Sequence, residues 1–309
     1  MKILAVNAGS SSLKFQLLNM PEETEITSGL VERIGYDNAV FVIKVNGKKV
    51  QKEQTILDHK VAVELVIKGL IDNKIIDSLD EIKGVGHRVV QGGEIFKSSV
   101  VITNKVIDDI ESLNDLAPLH NPANITGITS FKKALPDVVQ VAVFDTSFHG
   151  TMDELAYLYA TPYAWYENYG VRKYGFHGTS HSYVSKEAIK LLGNKKDTKI
   201  IVCHLGNGSS LCAVRDGKSL CTTMGLTPLE GLIMGTRCGD IDAGVIPYLM
   251  GKKNTPSRCS FLVKIIKKIK ARQLSTLPHN CSTIDVRALN FRVRDGNGCV
   301  HSAMATGPA

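Results

Sequence analysis

The chain opens on an alternation of apolar and polar positions. Lys2 to Val6 is a short apolar run, Asn7-Ala8-Gly9-Ser10-Ser11-Ser12 is a polar turn, and Leu13, Phe15 and Leu17 then alternate with polar residues. A period of two on either side of a Gly/Ser turn predicts strand–turn–strand. A second hairpin is predicted from Val40–Val45 and Lys48–Lys52, joined at Asn46-Gly47, the pair favoured in a two-residue type I′ turn. Residues 58–70 place Val61, Val63, Leu65, Val66 and Leu70 at helical spacing. Ile82–Val90 and Val138–Phe144 read as buried strands. A helix is predicted over 182–193, with Ser180 or Ser182 to cap it. Strand–turn–strand then recurs: Ile200–His204, the turn Leu205–Ser210, and Leu211–Val214 before Asp216-Gly217. Gly9-Ser10-Ser11-Ser12-Leu13 and Gly208-Ser209-Ser210-Leu211 share one pattern, which suggests duplicated domains facing each other.

The pattern changes near residue 251. No acid occurs between Asp242 and Asp285, and Phe261–Ile269 could form a basic amphipathic helix. Few periodic apolar positions follow, so residues 251–309 are expected to be poorly ordered. The expected organisation is therefore a first domain over 1–150, a partial second domain over 151–250, and a divergent basic tail over 251–309.

Composition adds bounds. With 309 residues, 43 % apolar and 22 % charged, the chain reads as globular and long enough for two domains. The formal net charge is +7, but from residue 251 onward 11 Lys and Arg stand against two acids, Asp285 and Asp295. The tail thus carries +9 and the first 250 residues −2, so the basicity belongs to the tail. No nucleic-acid motif accompanies it, and no nucleic-acid partner is expected. The N-terminal apolar run is five residues, too short for a signal peptide or a membrane helix. The seven cysteines (Cys203, Cys212, Cys221, Cys238, Cys259, Cys281, Cys299) show no C-x-x-C spacing and fit reduced thiols. A cytoplasmic protein without a membrane partner is expected.

Neither a Walker G-x-x-x-x-G-K-[ST] pattern nor G-x-G-x-x-G is present, since Gly206-Asn207-Gly208 lacks the third glycine. The two Gly/Ser turns could each be an anion nest or a plain hairpin turn. Asn7-Ala8-Gly9-Ser10-Ser11-Ser12-Leu13-Lys14 resembles the N-terminal signature of the acetate kinases. The resemblance continues through Gly86–Val90, Pro118–Pro122, Phe144–His149, Tyr174–His181, His204–Ser210, Gly225–Gly231 and Gly235–Asp242, in the family's order and spacing up to about residue 250. It implies the actin-like α/β fold, two related ribonuclease H-like domains around a cleft, with the second domain incomplete here. It also implies ATP-dependent, reversible phosphorylation of acetate to acetyl phosphate, with Mg²⁺, and a homodimer. A kinase for propionate or butyrate is the nearest enzymatic alternative. A non-catalytic remnant of the family is the other.

Residue by residue, the resemblance gives Arg88 the acetate carboxylate and Arg237 the transferring phosphoryl. It makes His177 a hydrogen-bond donor to that phosphoryl and Asp145 the active-site acid/base. It assigns Ser10, Ser12, Lys14, His204, Leu205, Gly206, Asn207 and Gly208 to the nucleotide, Asn7 to the metal, and Val90, Leu119, Phe176 and Pro228 to a pocket for the methyl. The chemistry fits these types. Phosphoryl transfer spreads charge over equatorial oxygens, and a carboxylate acceptor adds more. Planar guanidinium forks answer both. Acetate is already ionised at neutral pH, so Asp145 is read as positioning metal or substrate rather than abstracting a proton. His177 and His181 stand four residues apart, but without a glutamate of the H-E-x-x-H kind. His181 and His120 are read as structural.

Two departures stand out. Gln91 occupies a position where the family typically has His. After Met250 the family's segments for adenosine and its Mg²⁺-linked Glu find no counterpart, and Asp285-Val286-Arg287 is only an echo. The C-terminal part therefore reads as missing or replaced.

Overall fold

The computed structural model describes residues 1–250, 290–294 and 300–306. The chain divides into two compact units, Met1–Ser147 and Phe148–Ala309.

In the first unit, β1 (Lys2–Ala8) and β2 (Ser12–Asn19) pair antiparallel around the Gly/Ser turn, with Asn7 opposite Lys14. β3 (Thr24–Glu32), β4 (Tyr36–Val45) and β5 (Lys48–Ile56) continue the meander. Asn46 and Gly47 both have positive φ, 49° and 77°, as the type I′ turn requires. Helix α1 (His59–Asp72) follows, and then β6 (Ile82–Val89), β7 (Val100–Val101), α2 (Asn104–Glu111), α3 (Asn121–Ala134) and β8 (Val139–Phe144). The sheet order is β5-β4-β3-β2-β1-β6-β8-β7, with β1, β6 and β8 parallel.

Alternation decides which face is buried. Leu4, Val6, Leu13, Phe15, Leu17, Val85 and Val89 turn one way, and α1 and α3 supply Val63, Val66, Leu70, Ile128 and Phe131 to the cores on that side. Helix α3 lies close on β1, because a Cβ at Gly127 would stand 2.7 Å from that of Ala8. Asn7, Arg88 and Asp145 belong to the opposite face, at the carboxyl ends of the three parallel strands. In open α/β sheets that is where ligands are met.

In the second unit, α4 (Glu154–Tyr157), α5 (Tyr163–Tyr169) and α6 (Gly178–Leu191) precede β9 (Lys199–Leu205), β10 (Ser209–Arg215), β11 (Lys218–Thr222) and α7 (Val245–Met250). β12 (Asn290–Arg294) and β13 (Val300–Thr306) complete a sheet of order β11-β10-β9-β13-β12. Helix α6 buries His181, Val184, Ser185 and Ala188, and Val184 and Ala188 share a core with Ile200, Val202, Cys212 and Val214 of β9 and β10. Within the expected tail, 290–294 and 300–306 form an antiparallel pair on the β9 edge, Met304 opposite Ile201. The basic helix expected over Phe261–Ile269 and the Asp285–Arg287 echo lie outside the described residues. Among the described residues no helix is long and apolar enough to cross a membrane.

The start of α6 differs from expectation. The helix begins at Gly178, not 182, so Ser180 and Ser182 lie inside it. His177 precedes it in the left-handed region (φ 60°, ψ 21°) with no side-chain cap. The Ser180 hydroxyl bonds to His204 Nδ1 at 2.9 Å instead of capping.

Candidate functional site

Three of the first unit's expected site residues meet. Parallel register sets His87 beside Val6 and Val89 beside Phe144, which brings Asn7, Arg88 and Asp145 together from distant parts of the chain. Arg88 Nε donates to both carboxylate oxygens of Asp145, at 2.9 and 3.2 Å, and Nη2 donates to Oδ2 at 2.6 Å. Arg88 Nη1 reaches Asn7 Oδ1 at 3.3 Å. The Asp145 side chain is 3 % exposed and that of Arg88 40 %. The fork is thus anchored on a buried carboxylate while part of the guanidinium still faces solvent. The Asp145 charge raises the Arg88 pKa further, against the effect of burial.

The loops that carry these groups are held by amides absent from the expected site. Asn124, on the buried face of α3, donates to Ala8 O at 2.7 Å and accepts from Val90 N–H at 3.1 Å. Asn121 does the same for both backbone groups of Gln91. Gly9 O accepts from His59 Nε2 at 2.7 Å, and Gly9 N–H donates to Ser12 O at 2.7 Å. Two asparagines one turn apart, heading an otherwise apolar helical stripe, were the signal available in the sequence. Ser10 and Lys14 are exposed and Ser12 half-buried. Val90 is buried, whereas Leu119 is 75 % exposed.

In the second unit the β9–β10 turn is the centre. His204 and Ser210 pair across the strands. The Ser210 hydroxyl lies 2.9 Å from His177 Nδ1 and 2.7 Å from His181 Nε2. The rings of His177 and His204 stack with centroids 4.0 Å apart. A Cβ at Gly208 would stand 3.3 Å from Arg237 Nη1 and 3.3 Å from His177 Nε2, so the glycine lets both nitrogens approach the turn. Arg237 Nη1 donates to Pro228 O at 2.8 Å and contacts Met234 Sδ at 3.3 Å. Asn207 O accepts from Gly235 N–H at 3.2 Å, and Leu205 is exposed. Phe176 is buried and Pro228 half-buried. The expected nucleotide turn Gly206–Gly208 and the expected catalytic pair His177 and Arg237 therefore share one place.

A buried chain of donors fixes the backbone just before His177. A carbonyl only accepts, so His149 Nε2 carries the hydrogen that meets Phe176 O at 3.0 Å. His149 Nδ1 then accepts from the Ser219 hydroxyl at 2.9 Å, and the Cys212 thiol donates to Ser219 Oγ at 3.3 Å. Burial pushes the Cys212 pKa up to about 12, which keeps it a thiol donor. The loop at Pro228 is pinned separately. Tyr159 donates to Glu230, Lys173 pairs with Glu230 at 2.7 Å, and Leu226 N–H donates to Tyr159 Oη at 2.8 Å. Burial and the Glu230 carboxylate raise the Tyr159 pKa.

The model of the acetokinase family matches residues 2–304. The chain belongs to the acetokinase family. It is 65 % identical over 254 residues to an acetate kinase of Acholeplasma laidlawii and 58 % identical over 252 residues to acetate kinase 2 of Listeria monocytogenes. These matches take in 82 % and 81 % of the chain, which spans 64 % of the length of both relatives. Among solved structures, the acetate kinase of Porphyromonas gingivalis superposes with a TM-score of 0.81 at 46 % identity, covering 86 % of this chain and 67 % of that one. A propionate kinase of Francisella tularensis gives 0.79 at 43 % identity, with the same coverage. The mixed α/β fold is accordingly the actin-like fold of these kinases.

Proposed function

We propose that the chain carries the machinery for moving the γ-phosphoryl of ATP onto acetate, reversibly, to give acetyl phosphate. The observation that carries this reading is the approach of Arg237 Nη1 and His177 Nε2 to Gly208, a glycine turn with guanidinium charge and an imidazole nitrogen at one point. Such a turn suits a phosphoryl group in flight, whose charge must be met by donors already in place. Arg88, with 40 % of its side chain exposed, takes the acetate carboxylate, and Asp145 holds its fork at the required angle. Acetate is already ionised at neutral pH, so no proton need leave it. Val90, Leu119, Phe176 and Pro228 are assigned to the methyl, and Ser10, Ser12, Lys14 and His204–Gly208 to the nucleotide.

Asn7 Oδ1 and the Asp145 carboxylate are hard oxygen donors of the kind Mg²⁺ takes alongside phosphate oxygens and water. Asn7 and Asp145, whose oxygens also accept from Arg88, would hold the ion through their remaining lone pairs, and the ion would supply positive charge to the phosphate oxygens. A pocket that senses one methylene discriminates by only about 1–3 kcal/mol, so propionate should be a poorer but real substrate. A cytoplasmic homodimer is part of the same reading.

The test is acetyl phosphate formation, trapped as a hydroxamate, with Arg88→Ala and Arg237→Ala placed in the full-length Acholeplasma laidlawii relative. Each should lower turnover by about 10²–10³. Near wild-type rates in both would overturn the assignment. The relative is used because it is the longer chain, of which this one spans 64 %. Positioning is most of what this reaction asks of a protein.

A further inference from the structure

We infer that Ser210 fixes the proton of His177: its hydroxyl donates to His177 Nδ1 while accepting from His181 Nε2, so that His177 presents Nε2–H at the Gly206–Gly208 turn. A serine hydroxyl donates once, yet Ser210 Oγ stands 2.9 Å from His177 Nδ1 and 2.7 Å from His181 Nε2. If both nitrogens carried hydrogens, the buried hydroxyl would need a third, accepting partner, and among the described residues its hydrogen bonds run to these two rings; with both rings neutral, one nitrogen therefore carries a hydrogen and the other accepts. The tautomers of the two histidines are therefore opposed and linked through a single oxygen.

Burial makes that link strict. Ser210 and His181 are both 0 % exposed, so bulk water cannot step in for the hydroxyl. His181 sits one helical turn after His177, and Ser210 sits opposite His204, whose ring stacks on His177. Helix, strand pair and stacked ring together hold the imidazole plane.

The direction follows from what lies at the far end. His177 Nε2 and Arg237 Nη1 are each 3.3 Å from the same point at Gly208. The hydrogens of Arg237 Nη1 are taken by Pro228 O and Met234 Sδ. An anion at that turn thus finds guanidinium charge from Nη1, and His177 Nε2 can add a hydrogen only if Nδ1 is the acceptor. This direction rests on the reading of the turn as an anion site. The link between the two tautomers does not. Ser210 and His181 are positioning residues: they act through His177.

The test reads ring nitrogens by long-range proton–nitrogen NMR on the ¹⁵N-labelled full chain, near pH 8 so that imidazoles of ordinary pKa, about 6.5, are neutral. A His177→Gln variant assigns the signals. The expected wild-type pattern is an unprotonated Nδ1 and a protonated Nε2 on His177. Ser210→Ala should move both nitrogens toward the average of the two tautomers, and Ser210→Thr, which keeps the hydroxyl, should restore the wild-type pattern. A protonated His177 Nδ1 in the wild type overturns the inference without any variant having to fold, and so does an unchanged pattern in Ser210→Ala. Inorganic phosphate is the anion probe. If the tautomer and its dependence on Ser210 are as stated but phosphate leaves His177 unmoved, the Ser210 lock stands and the anion-site reading fails. In the full-length relative, the equivalent serine-to-alanine change should lower kcat by about 10–100-fold, the range for losing a side chain that orients a reacting group, with KM for acetate little changed.

Discussion

Arg88 in the first unit grips a buried carboxylate with three hydrogen bonds, whereas Arg237 in the second is aimed by a backbone carbonyl and a thioether. The two settings solve one problem differently. A charged partner fixes the fork tightly, but a carboxylate 3 % exposed depends on it in return. The carbonyl and the thioether aim Arg237 only as well as the loop that carries them is held. In the second unit the hold comes from the Tyr159–Glu230–Lys173 cluster under Pro228, and from the His149 chain before His177. At Arg88 the anchor is a buried carboxylate; at Arg237 it is a hydrogen-bonded loop, itself pinned by the Lys173–Glu230 pair, with glycines at the tight points.

The largest effect expected from this contrast is at Gly175. Its φ is +73°, and an added Cβ would enter the space of the Thr222 methyl and the His149 ring, which is wholly buried. Strain and overlap add, so Gly175→Ala should destabilise the second unit by about 3 kcal/mol or more. It should also displace Phe176 O from His149, and with it His177. Urea unfolding followed at Trp165, which lies in the second unit, measures the first effect. A shift below about 1 kcal/mol would mean that the loop is not anchored through His149.

A pH experiment separates the units next. Burial lowers the His87 pKa to about 4, although the hydrogen bond from its Nε2 to Gln140 Oε1 opposes the shift. The unfolded chain takes up that proton near pH 6.5, so the native state holds fewer protons between the two values. The stability this histidine confers is complete above about pH 6.5 and is lost as the pH falls toward 4, in total about 3 kcal/mol. His87→Gln removes the titration. The stability difference between wild type and variant should therefore move in the variant's favour from pH 7 to pH 4.5. Parallel curves would show that His87 is not held neutral.

How much of this was legible in the chain depends on sequence distance. The Asn46-Gly47 turn was, because a local steric demand for positive φ is written in two adjacent residues. The β1–β2 and β9–β10 hairpins were, because alternation brackets a Gly/Ser turn. The meeting of Arg88 with Asp145 was not, since parallel register across β6 and β8 sets it and no local pattern states register. The helix cap failed for a different reason. Ser180 has the chemistry of a cap, but His204 claims its hydroxyl and His177 turns the chain in the left-handed region. Ser210 stood in plain view as the polar head of a buried alternating set with Cys212 and Val214. Its two histidine partners, however, are 29 and 33 residues away, in helix α6 and just before it.

A smaller effect is expected at Arg88. Replacing it with Ala leaves the Asp145 carboxylate without its guanidinium. Breaking a buried pair from one side costs about 3–5 kcal/mol, but Arg88 is 40 % exposed and its loss would admit water, so about 2 kcal/mol is expected. Arg88→Lys keeps the charge without the fork and should recover part of that stability but little of the activity. If Arg88→Ala unfolds at the wild-type urea midpoint, the carboxylate is satisfied by other groups and the pair is not an anchor.

The smallest effect tests whether anchoring by charge extends to the helices. Helix α1 starts behind Asp58, whose backbone is extended and whose carboxylate accepts from Val61 N–H at 2.9 Å. That bond satisfies one of the amides that a helix start leaves open, and the negative charge sits at the positive end of the helix dipole. Helix α6 has no such side chain, only His177 in the left-handed region. Asp58→Ala should therefore destabilise the first unit by about 1 kcal/mol, and Asp58→Asn, which keeps the acceptor without the charge, by a few tenths. Amide exchange at Val61 should quicken in the Ala variant and stay slow in the Asn variant. Equal loss in both variants would assign the cap to charge alone. No loss in either would show that packing of Val63, Val66 and Leu70 sets the start of α1 unaided.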